Sequence, residues 1–147
     1  MADTKVIVFL DFDGVLHPIN ARGDGHFCYL PDFLDLMDEF PNVEIVISSS
    51  WRSAMDYGVL KSMLVRHSDK VIGTTRDIMK PKDGFWRMHE ILGWIQDHEY
   101  QGKWLAIDDS GREFPEDYPN LFLTESNIGL DDDAMFELRH RLKKLMR

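Results

Sequence analysis

Two carboxylates close together at the end of an apolar stretch are the first sign of chemistry in this sequence. The stretch KVIVFLDFDGVLHP, residues 5–18, runs from apolar residues directly into Asp11, Asp13 and Gly14. Acids this near each other repel, so a structure that keeps them must compensate their charge. In an extended chain Asp11 and Asp13 lie on the same side. One carboxylate could therefore attack a phosphorus atom while the other exchanges a proton.

Two further apolar stretches also end in polar residues. SSSWR, residues 48–52, follows the stretch VEIVI, and DDS, residues 108–110, follows the stretch KWLAI. If these stretches are neighbouring strands of a parallel sheet, their carboxyl ends meet in one crevice, which is where such sheets bind ligands. Mg²⁺ prefers hard oxygen ligands, often one or two carboxylates together with phosphate oxygens and water. We therefore predict a Mg²⁺ site formed by Asp11, Asp13, Asp108 and Asp109.

The elements that must position these residues alternate along the chain. Apolar stretches predict strands at residues 5–10, 43–47, 70–73, 103–107 and 120–124. Apolar residues at helical spacing predict helices at residues 32–40, 53–67, 84–99 and 131–147. Several of the strands are apolar almost throughout, as expected for strands covered on both faces. The pattern predicts an α/β fold with a mainly parallel sheet of about five strands.

Length and charge limit the possible classes of protein. The chain has 147 residues, which suits one domain spanning residues 1–147. Its net charge of −9 argues against an extended basic surface for duplex nucleic acid. A single cysteine, Cys28, excludes an intrachain disulfide. The first apolar stretch is too short for a signal peptide or a membrane span, so we expect a soluble, cytoplasmic protein. We also expect the protein to be a monomer.

The order of the motifs resembles that of the haloacid dehalogenase (HAD) superfamily, whose members are mostly phosphatases. LDFDGVL is similar to the first motif of that superfamily, VEIVISSS to the second and WLAIDD to the fourth. The resemblance covers nearly the whole chain and implies a Rossmann-like three-layer sandwich. Residues 15–42 and 68–83 are too short to hold a large cap domain, so we expect an open site, covered at most by the loop at residues 20–30. ISSSWR, HEILGW and LAIDDS further resemble small domains related to the phosphatase modules of RNA-repair proteins, including polynucleotide 3′-phosphatases.

The resemblance implies a role for each acid. Asp11 would be the nucleophile that forms an aspartyl-phosphate, and it would also bind the metal. Asp13 would be the general acid and base and would give its backbone carbonyl to Mg²⁺. Asp108 would bind Mg²⁺ directly, and Asp109 would bind through water or orient Asp108. The chain would then be a Mg²⁺-dependent phosphomonoesterase, and its substrate a nucleotide or a nucleic-acid 3′-phosphate end.

The serines of the second motif leave alternatives open. The apolar stretch favours Ser48 as the hydroxyl that holds a phosphate oxygen, because it is the first residue beyond the strand. Relatives with a Thr two positions before a Trp favour Ser49, which we prefer. Ser50 is expected to cap the following turn. Trp51 could stack on a base or pack in the core, and Arg52 could contact phosphate.

The third motif of the superfamily is a Lys or Arg at the start of a helix, and three cations are candidates for it. Lys80 and Lys82 lie in a loop, whereas Arg87 lies where relatives place the cation. We prefer Arg87, with Lys82 as the next candidate for phosphate binding. His17 closely follows the first motif and could line the mouth of the site.

Two other classes of protein compete with a phosphatase. A non-catalytic HAD-like domain could bind a metal or a partner, but it would not need to keep both Asp11 and Asp13. A receiver domain of two-component signalling also gathers acids at strand ends. Its acidic pair comes first, and its phosphorylated Asp ends a later strand, whereas the later strand ends in serines here.

Overall fold

A parallel sheet forms the centre of the molecule in a computed structural model that describes residues 4–147. Its strands are β1 (Val6–Leu10), β2 (Val43–Ile47), β3 (Val71–Thr74), β4 (Lys103–Asp108) and β5 (Leu121–Leu123). Within the described residues the strand order is β3-β2-β1-β4-β5, and every neighbouring pair is parallel. The predicted α/β fold is therefore confirmed.

Helices cover both faces of this sheet. The helices are α1 (Leu30–Asp38), α2 (Tyr57–Ser62), α3 (Trp86–Asp97) and α4 (Asp132–Leu145). One hydrophobic cluster joins the sheet to α1, α2 and α4, and a second cluster joins the opposite face to α3. The result is the expected three-layer, Rossmann-like sandwich.

Alternation along β1 decides which side of the sheet the first acid faces. Val8 and Leu10 belong to the cluster that contains α1 and α4, whereas Ile7 and Phe9 belong to the cluster that contains α3. Successive strand residues point to opposite faces, so the side chain that follows Leu10 is directed toward α3. The sequence of β1 therefore brings Asp11 to the carboxyl end of the sheet on the side of α3.

The segment after β2 differs most from the prediction. A single helix was expected at residues 53–67, but α2 is short and lies between the 3-10 segments Ser50–Ser53 and Val65–Lys70. Val65, at the start of the second 3-10 segment, has a φ of +49°, a conformation that a β-branched residue rarely adopts and that a continuous helix cannot contain. Leu60 and Leu64, on either side of the end of α2, are both fully buried. The other predicted elements differ from the observed ones by at most two residues at either end.

The connections leave the carboxyl ends of the strands open. Between β1 and β2 the chain forms only the 3-10 turn Gly23–Gly25 and α1, and between β3 and α3 the described residues form no helix or strand. The expectation of a fold without a large cap is confirmed. None of the described helices is long and apolar enough to span a membrane.

Candidate active site

Three carboxylates meet beyond the carboxyl ends of β1 and β4, which are neighbours in the sheet. Asp11 follows β1, Asp108 ends β4, and Asp109 is the next residue. One oxygen of each carboxylate lies within 4.8 Å of the others. Asp11 and Asp108 are only 4% and 1% exposed. The fourth predicted acid, Asp13, is not part of this group, and its carboxylate is hydrogen-bonded to His17 and Trp51.

The turn after Asp13 is held by the segment that follows β5. Gly14 has a φ of +75°, and a Cβ at this position would lie 2.1 Å from Oδ2 of Asp109, so both the conformation and the space require glycine. Thr124 Oγ1 donates a hydrogen bond of 2.6 Å to the carbonyl oxygen of Gly14. Ser126 Oγ donates one of 2.7 Å to Oδ2 of Asp109. This segment thus fixes both the turn and one carboxylate of the cluster.

Burial makes the charged form of these acids costly. Burial, and then repulsion by Asp108, raises the pKa of Asp11 well above its usual range. Burial also raises the pKa of Asp108 to about 6, although the nearby Arg87 acts in the opposite direction. Phe12 N donates to Oδ1 of Asp11 at 2.8 Å, and Ser110 N donates to Oδ1 of Asp108 at 2.9 Å. These bonds only partly offset the cost, and a bound cation would offset more of it.

The donor set of the cluster fits a hard divalent cation. Asp11, Asp108 and Asp109 offer only carboxylate oxygens, the ligand type that Mg²⁺ prefers, and neither a thiol nor an imidazole belongs to the group. Buried acids that converge without enough positive charge around them are a further reason to expect a cation here.

Arg87 supplies the positive charge that the cluster does have. It lies in the first turn of α3, and its Nη1 is 3.1 Å from Oδ2 of Asp108 and 3.5 Å from Oδ1 of Asp11. The same nitrogen donates a hydrogen bond to the carbonyl oxygen of Ser48. The structure therefore brings Arg87, the preferred cation of the sequence analysis, to the acids.

An open cavity of about 510 Å³ lies in front of the acids. It is lined by Asp11, Asp13, Ile19, Ser50, Arg87, Asp109, Ser110, Gly111, Arg112, Glu113 and Ser126. Lys80 and Lys82 do not line it, and both are exposed to solvent. The structure thus separates Lys82 from the cavity that contains Arg87.

A larger groove of about 1490 Å³ runs along β5 and α4 and meets the first cavity at Gly111 and Arg112. Its lining includes none of the three clustered carboxylates. The smaller cavity is the candidate active site, because it contains Asp11, Asp109 and Arg87. Arg112, an exposed cation on the wall that the two cavities share, was not foreseen from the sequence.

The three serines of the second motif have different environments. The hydroxyl of Ser48 is buried and has no hydrogen-bond partner among the described residues. The hydroxyl of Ser49 accepts a hydrogen bond of 3.2 Å from Trp51 N and so caps the 3-10 turn that follows. The prediction that Ser50 is the cap is wrong: its neighbour caps the turn, and Ser50 is exposed and lines the cavity. The backbone carbonyl oxygen of Ser48 accepts a hydrogen bond from Arg87 Nη1.

Both oxygens of the Asp13 carboxylate accept hydrogen bonds from neutral donors. His17 Nε2 lies 2.8 Å from Oδ1, and Trp51 Nε1 lies 3.0 Å from Oδ2. The other ring nitrogen of His17, Nδ1, accepts from Phe27 N at 3.1 Å, so the ring proton is on Nε2 and is donated to Asp13. His17 was expected at the mouth of the site, but it is 1% exposed, and its contact with the site is the hydrogen bond to Asp13.

Trp51 and Arg52 each have partners inside the protein. The ring of Trp51 packs edge-on against Phe12 and Phe27, which combines a core position with the bond to Asp13. Arg52 is paired with Glu90 and with Asp77, 2.9 Å away, and its guanidinium is not directed into the cavity. The prediction that Arg52 contacts phosphate therefore finds no geometric support.

Several cavity residues were missed because their position depends on loops. Ser126 could have been found, since it lies just beyond the predicted strand at residues 120–124, and the rule used for the other strand ends applies equally to this one. Arg112 and Glu113 follow the acidic pair in sequence, but nothing in their pattern indicates on which side of the turn they lie. Glu90, which lies outside the cavity lining, could have been suspected as a charged residue three positions after Arg87 on one helix.

Comparison with protein families shows what the chain is similar to. A family model described as the HAD domain in Swiss Army Knife RNA repair proteins matches residues 7–135. This range includes the four acids predicted for the site and Arg87. Comparison with curated proteins and with solved structures found no match.

Proposed function

The chain belongs to this family of HAD domains, and from that premise we propose that it is a Mg²⁺-dependent phosphomonoesterase. The observation that carries the proposal is the convergence of Asp11, Asp108 and Asp109 with Arg87 at the open ends of β1 and β4. A buried group of acids beside one arginine suits a ligand that brings both a cation and an anion. A phosphate ester with Mg²⁺ is such a ligand.

The metal would be held by the carboxylates of Asp11, Asp108 and Asp109, and by the backbone carbonyl of Asp13, as the resemblance to the superfamily implies. When bound, Mg²⁺ would neutralise the repulsion among the acids and stabilise negative charge on the phosphate oxygens. Arg87 would bind a phosphate oxygen from the side of α3. A hydroxyl of Ser48 or Ser49 would hold another, and the unpartnered hydroxyl of Ser48 favours that residue.

In the first step a carboxylate oxygen of Asp11 attacks phosphorus. The new bond between this oxygen and phosphorus forms as the bond from phosphorus to the leaving oxygen breaks. Asp13, in its protonated form, gives its proton to the leaving oxygen, so an alcohol departs. The bonds from His17 and Trp51 hold the Asp13 carboxyl in place for this transfer.

In the second step water attacks the phosphorus of the aspartyl-phosphate. Asp13 accepts a proton from this water as the bond between phosphorus and the Asp11 oxygen breaks. Phosphate then leaves, Asp11 is again a carboxylate, and Asp13 again carries the proton it needs for the next cycle. Each acid therefore keeps one role in both steps: Asp11 bonds to phosphorus, and Asp13 transfers the proton.

The open site suits a large substrate, such as a nucleic-acid end with a 3′-phosphate, and it also admits a nucleotide. No large cap domain closes over the described cavity, so a polymer end can approach it. The RNA-repair setting of the family agrees with this substrate class. The acidic net charge of −9 suits contact with a chain end rather than with a long stretch of duplex.

A hydrolysis screen with and without Mg²⁺ tests the proposal. Phosphate esters, including oligonucleotides phosphorylated at either the 3′ or the 5′ end, are incubated with the protein, and released phosphate is measured. We expect turnover that requires Mg²⁺ and that favours the 3′-phosphate over the matched 5′-phosphate. Activity on small esters without this preference would keep the phosphatase and remove the nucleic-acid substrate.

The covalent step is tested separately by trapping. Asp13→Asn should slow breakdown of the aspartyl-phosphate, and borohydride reduces an acyl phosphate to an alcohol, which converts the modified residue to homoserine. Peptide mass spectrometry should find homoserine at position 11 only when substrate is present. Mg²⁺ binding with no turnover on any ester would instead favour the alternative, a non-catalytic HAD-like domain that binds a metal or a partner.

A further inference from the structure

A buried series of ion pairs adjoins the candidate active site, and the mechanism above uses only one of its three members, Arg87. It consists of Arg52, Glu90 and Arg87, and we refer to it as the Arg52–Glu90–Arg87 series. The side chains of both arginines are 11% exposed and that of Glu90 is 8% exposed. Arg52 Nη2 donates to Oε2 of Glu90, and Arg87 Nε lies 3.5 Å from Oε1 of the same carboxylate.

Each arginine in the series also holds the backbone of the second motif. Arg52 Nη1 donates a hydrogen bond of 3.2 Å to the carbonyl oxygen of Ser49. Arg87 Nη1 donates to the carbonyl oxygen of Ser48. Because Glu90 contacts both guanidinium groups, it connects the first turn of α3 to two successive residues of the loop that follows β2.

Glu90 differs from the other acids near Arg87 in one respect. Asp11 and Asp108 belong to the group of acids that would share their charge with a bound metal, whereas Glu90 belongs neither to that group nor to the cavity lining. Arg87 Nε is buried and has no hydrogen-bond partner among the described residues, so Glu90 is its nearest compensation on that side. A buried acid between two arginines is stabilised by them, and it in turn restricts where they can lie.

We propose that Glu90 is a positioning residue that fixes Arg87 in the candidate active site and, through Arg52, aligns it with the serines of the second motif. The proposal rests on the proposed function, because it assigns Arg87 to phosphate binding. Glu90 itself contacts neither substrate nor metal. Its role becomes important when Mg²⁺ occupies the acids, since Glu90 is then the anion that still holds Arg87.

The main test compares Glu90→Gln with Asp97→Asn. Both remove one negative charge from α3, and Asp97 is paired with Arg76 on the surface, 2.7 Å from its Nε, far from the cavity. Inhibition by inorganic phosphate and KM for a phosphate ester are measured in Mg²⁺. Loss of the charged hydrogen bond with Arg52 and of the ion pair with Arg87 predicts that Glu90→Gln weakens phosphate binding roughly tenfold or more. Asp97→Asn should leave both values within about twofold of the wild type.

A double substitution shows whether Glu90 acts through Arg87. If it does, Glu90→Gln added to Arg87→Ala should weaken phosphate binding no further, because the positioned group is already absent. A second full loss in the Arg87→Ala background would overturn the proposal and leave a general structural role. Glu90→Asp serves if Glu90→Gln fails to fold, since it keeps the charge but is one methylene shorter; it should also weaken phosphate binding.

A readout that needs no turnover separates this proposal from the proposed function. The Nε–Hε groups of buried arginines give resolved, slowly exchanging NMR signals, which Arg52→Lys and Arg87→Lys assign. Glu90→Gln should accelerate exchange of the Arg87 signal, and Asp97→Asn should not. If the wild type hydrolyses no ester, the proposed function fails, but the exchange rate of the Arg87 signal still shows whether Glu90 positions Arg87. An Arg87 signal that is unchanged by Glu90→Gln overturns the positioning.

Discussion

The two acids of the first motif are two residues apart, yet the two sides of the cavity give them very different surroundings. On the side of α3, Asp11 is surrounded by charge, with Arg87 and Asp108 close by. Among residues 4–147, the hydrogen bonds that Asp13 accepts come from the neutral donors His17 and Trp51. Surroundings of charge change when a metal or an anion binds, whereas neutral donors stay as they are. The difference suits one acid to bonding and the other to proton transfer.

The largest effect should come from exchanging the acids for amides one at a time. Asp11→Asn removes the attacking carboxylate and a metal ligand, so turnover should fall by about 10⁴-fold or more. Asp13→Asn removes only the proton transfers, and kcat should fall by about 10² to 10⁴-fold. Steady-state kinetics and metal titration of both variants measure the contrast. Equal losses of metal affinity in the two variants would show that the acids are not divided in this way.

A smaller effect should appear in the stability of the metal-free protein as a function of pH. The pKa of Asp108 is raised to about 6 in the folded protein, so the folded state holds a proton that the unfolded state has already released. This acid is protonated below about pH 4 in both states. Between about pH 4 and pH 6 its burial therefore makes the wild type less stable as pH rises.

Asp108→Asn removes this titration. Relative to pH 4, the variant should gain about 3 kcal/mol over the wild type by pH 8, from two pKa units at 1.36 kcal/mol each. Urea unfolding with a chelator present measures the difference. Excess Mg²⁺ should stabilise the wild type and reduce the gap, while the variant should respond less. If the difference in unfolding free energy between the variant and the wild type did not depend on pH, the charge of Asp108 would not be its cause.

The smallest effect should follow from Trp51→Phe, which weakens the neutral side of the cavity. The substitution removes one hydrogen bond to Asp13 and keeps an aromatic ring against Phe12 and Phe27. A hydrogen bond of this kind contributes about 1 kcal/mol, so kcat should fall roughly fivefold with little change in KM. Trp104→Phe, at the amino end of β4, is the matched control. A change in KM alone would indicate that Trp51 contacts the substrate instead.

The sheet and three of the four helices could be predicted because their patterns are local. Apolar stretches such as VEIVI predict buried strands, and the polar residues that follow them indicate where ligands bind. The helix at residues 53–67 could not be predicted in the same way. Its apolar residues fit helical spacing, but the burial of Leu60 and Leu64 is satisfied by a short helix with turns on either side.

The charged residues of the candidate site could be predicted from the sequence, whereas the residues whose position depends on the path of a loop could not. Motif order indicates Asp11, Asp108, Asp109 and Arg87, and the structure places these four together. The support of Asp13 depends on the path of the loop that carries His17 and on the turn that carries Trp51, neither of which the sequence specifies. The cap by Ser49 instead of Ser50 is a difference of one residue, which is below the precision of a pattern.

The hydrogen bond from Thr124 to Gly14 joins residues 110 positions apart in the chain. Contacts of such long range form late, because closing a long loop costs entropy before any contact repays it. On a ribosome, β1 and its acids emerge long before Thr124 and Ser126 exist. The acidic turn must therefore remain without its support for most of synthesis, and the site is completed only when the strand at the edge of the sheet has been added.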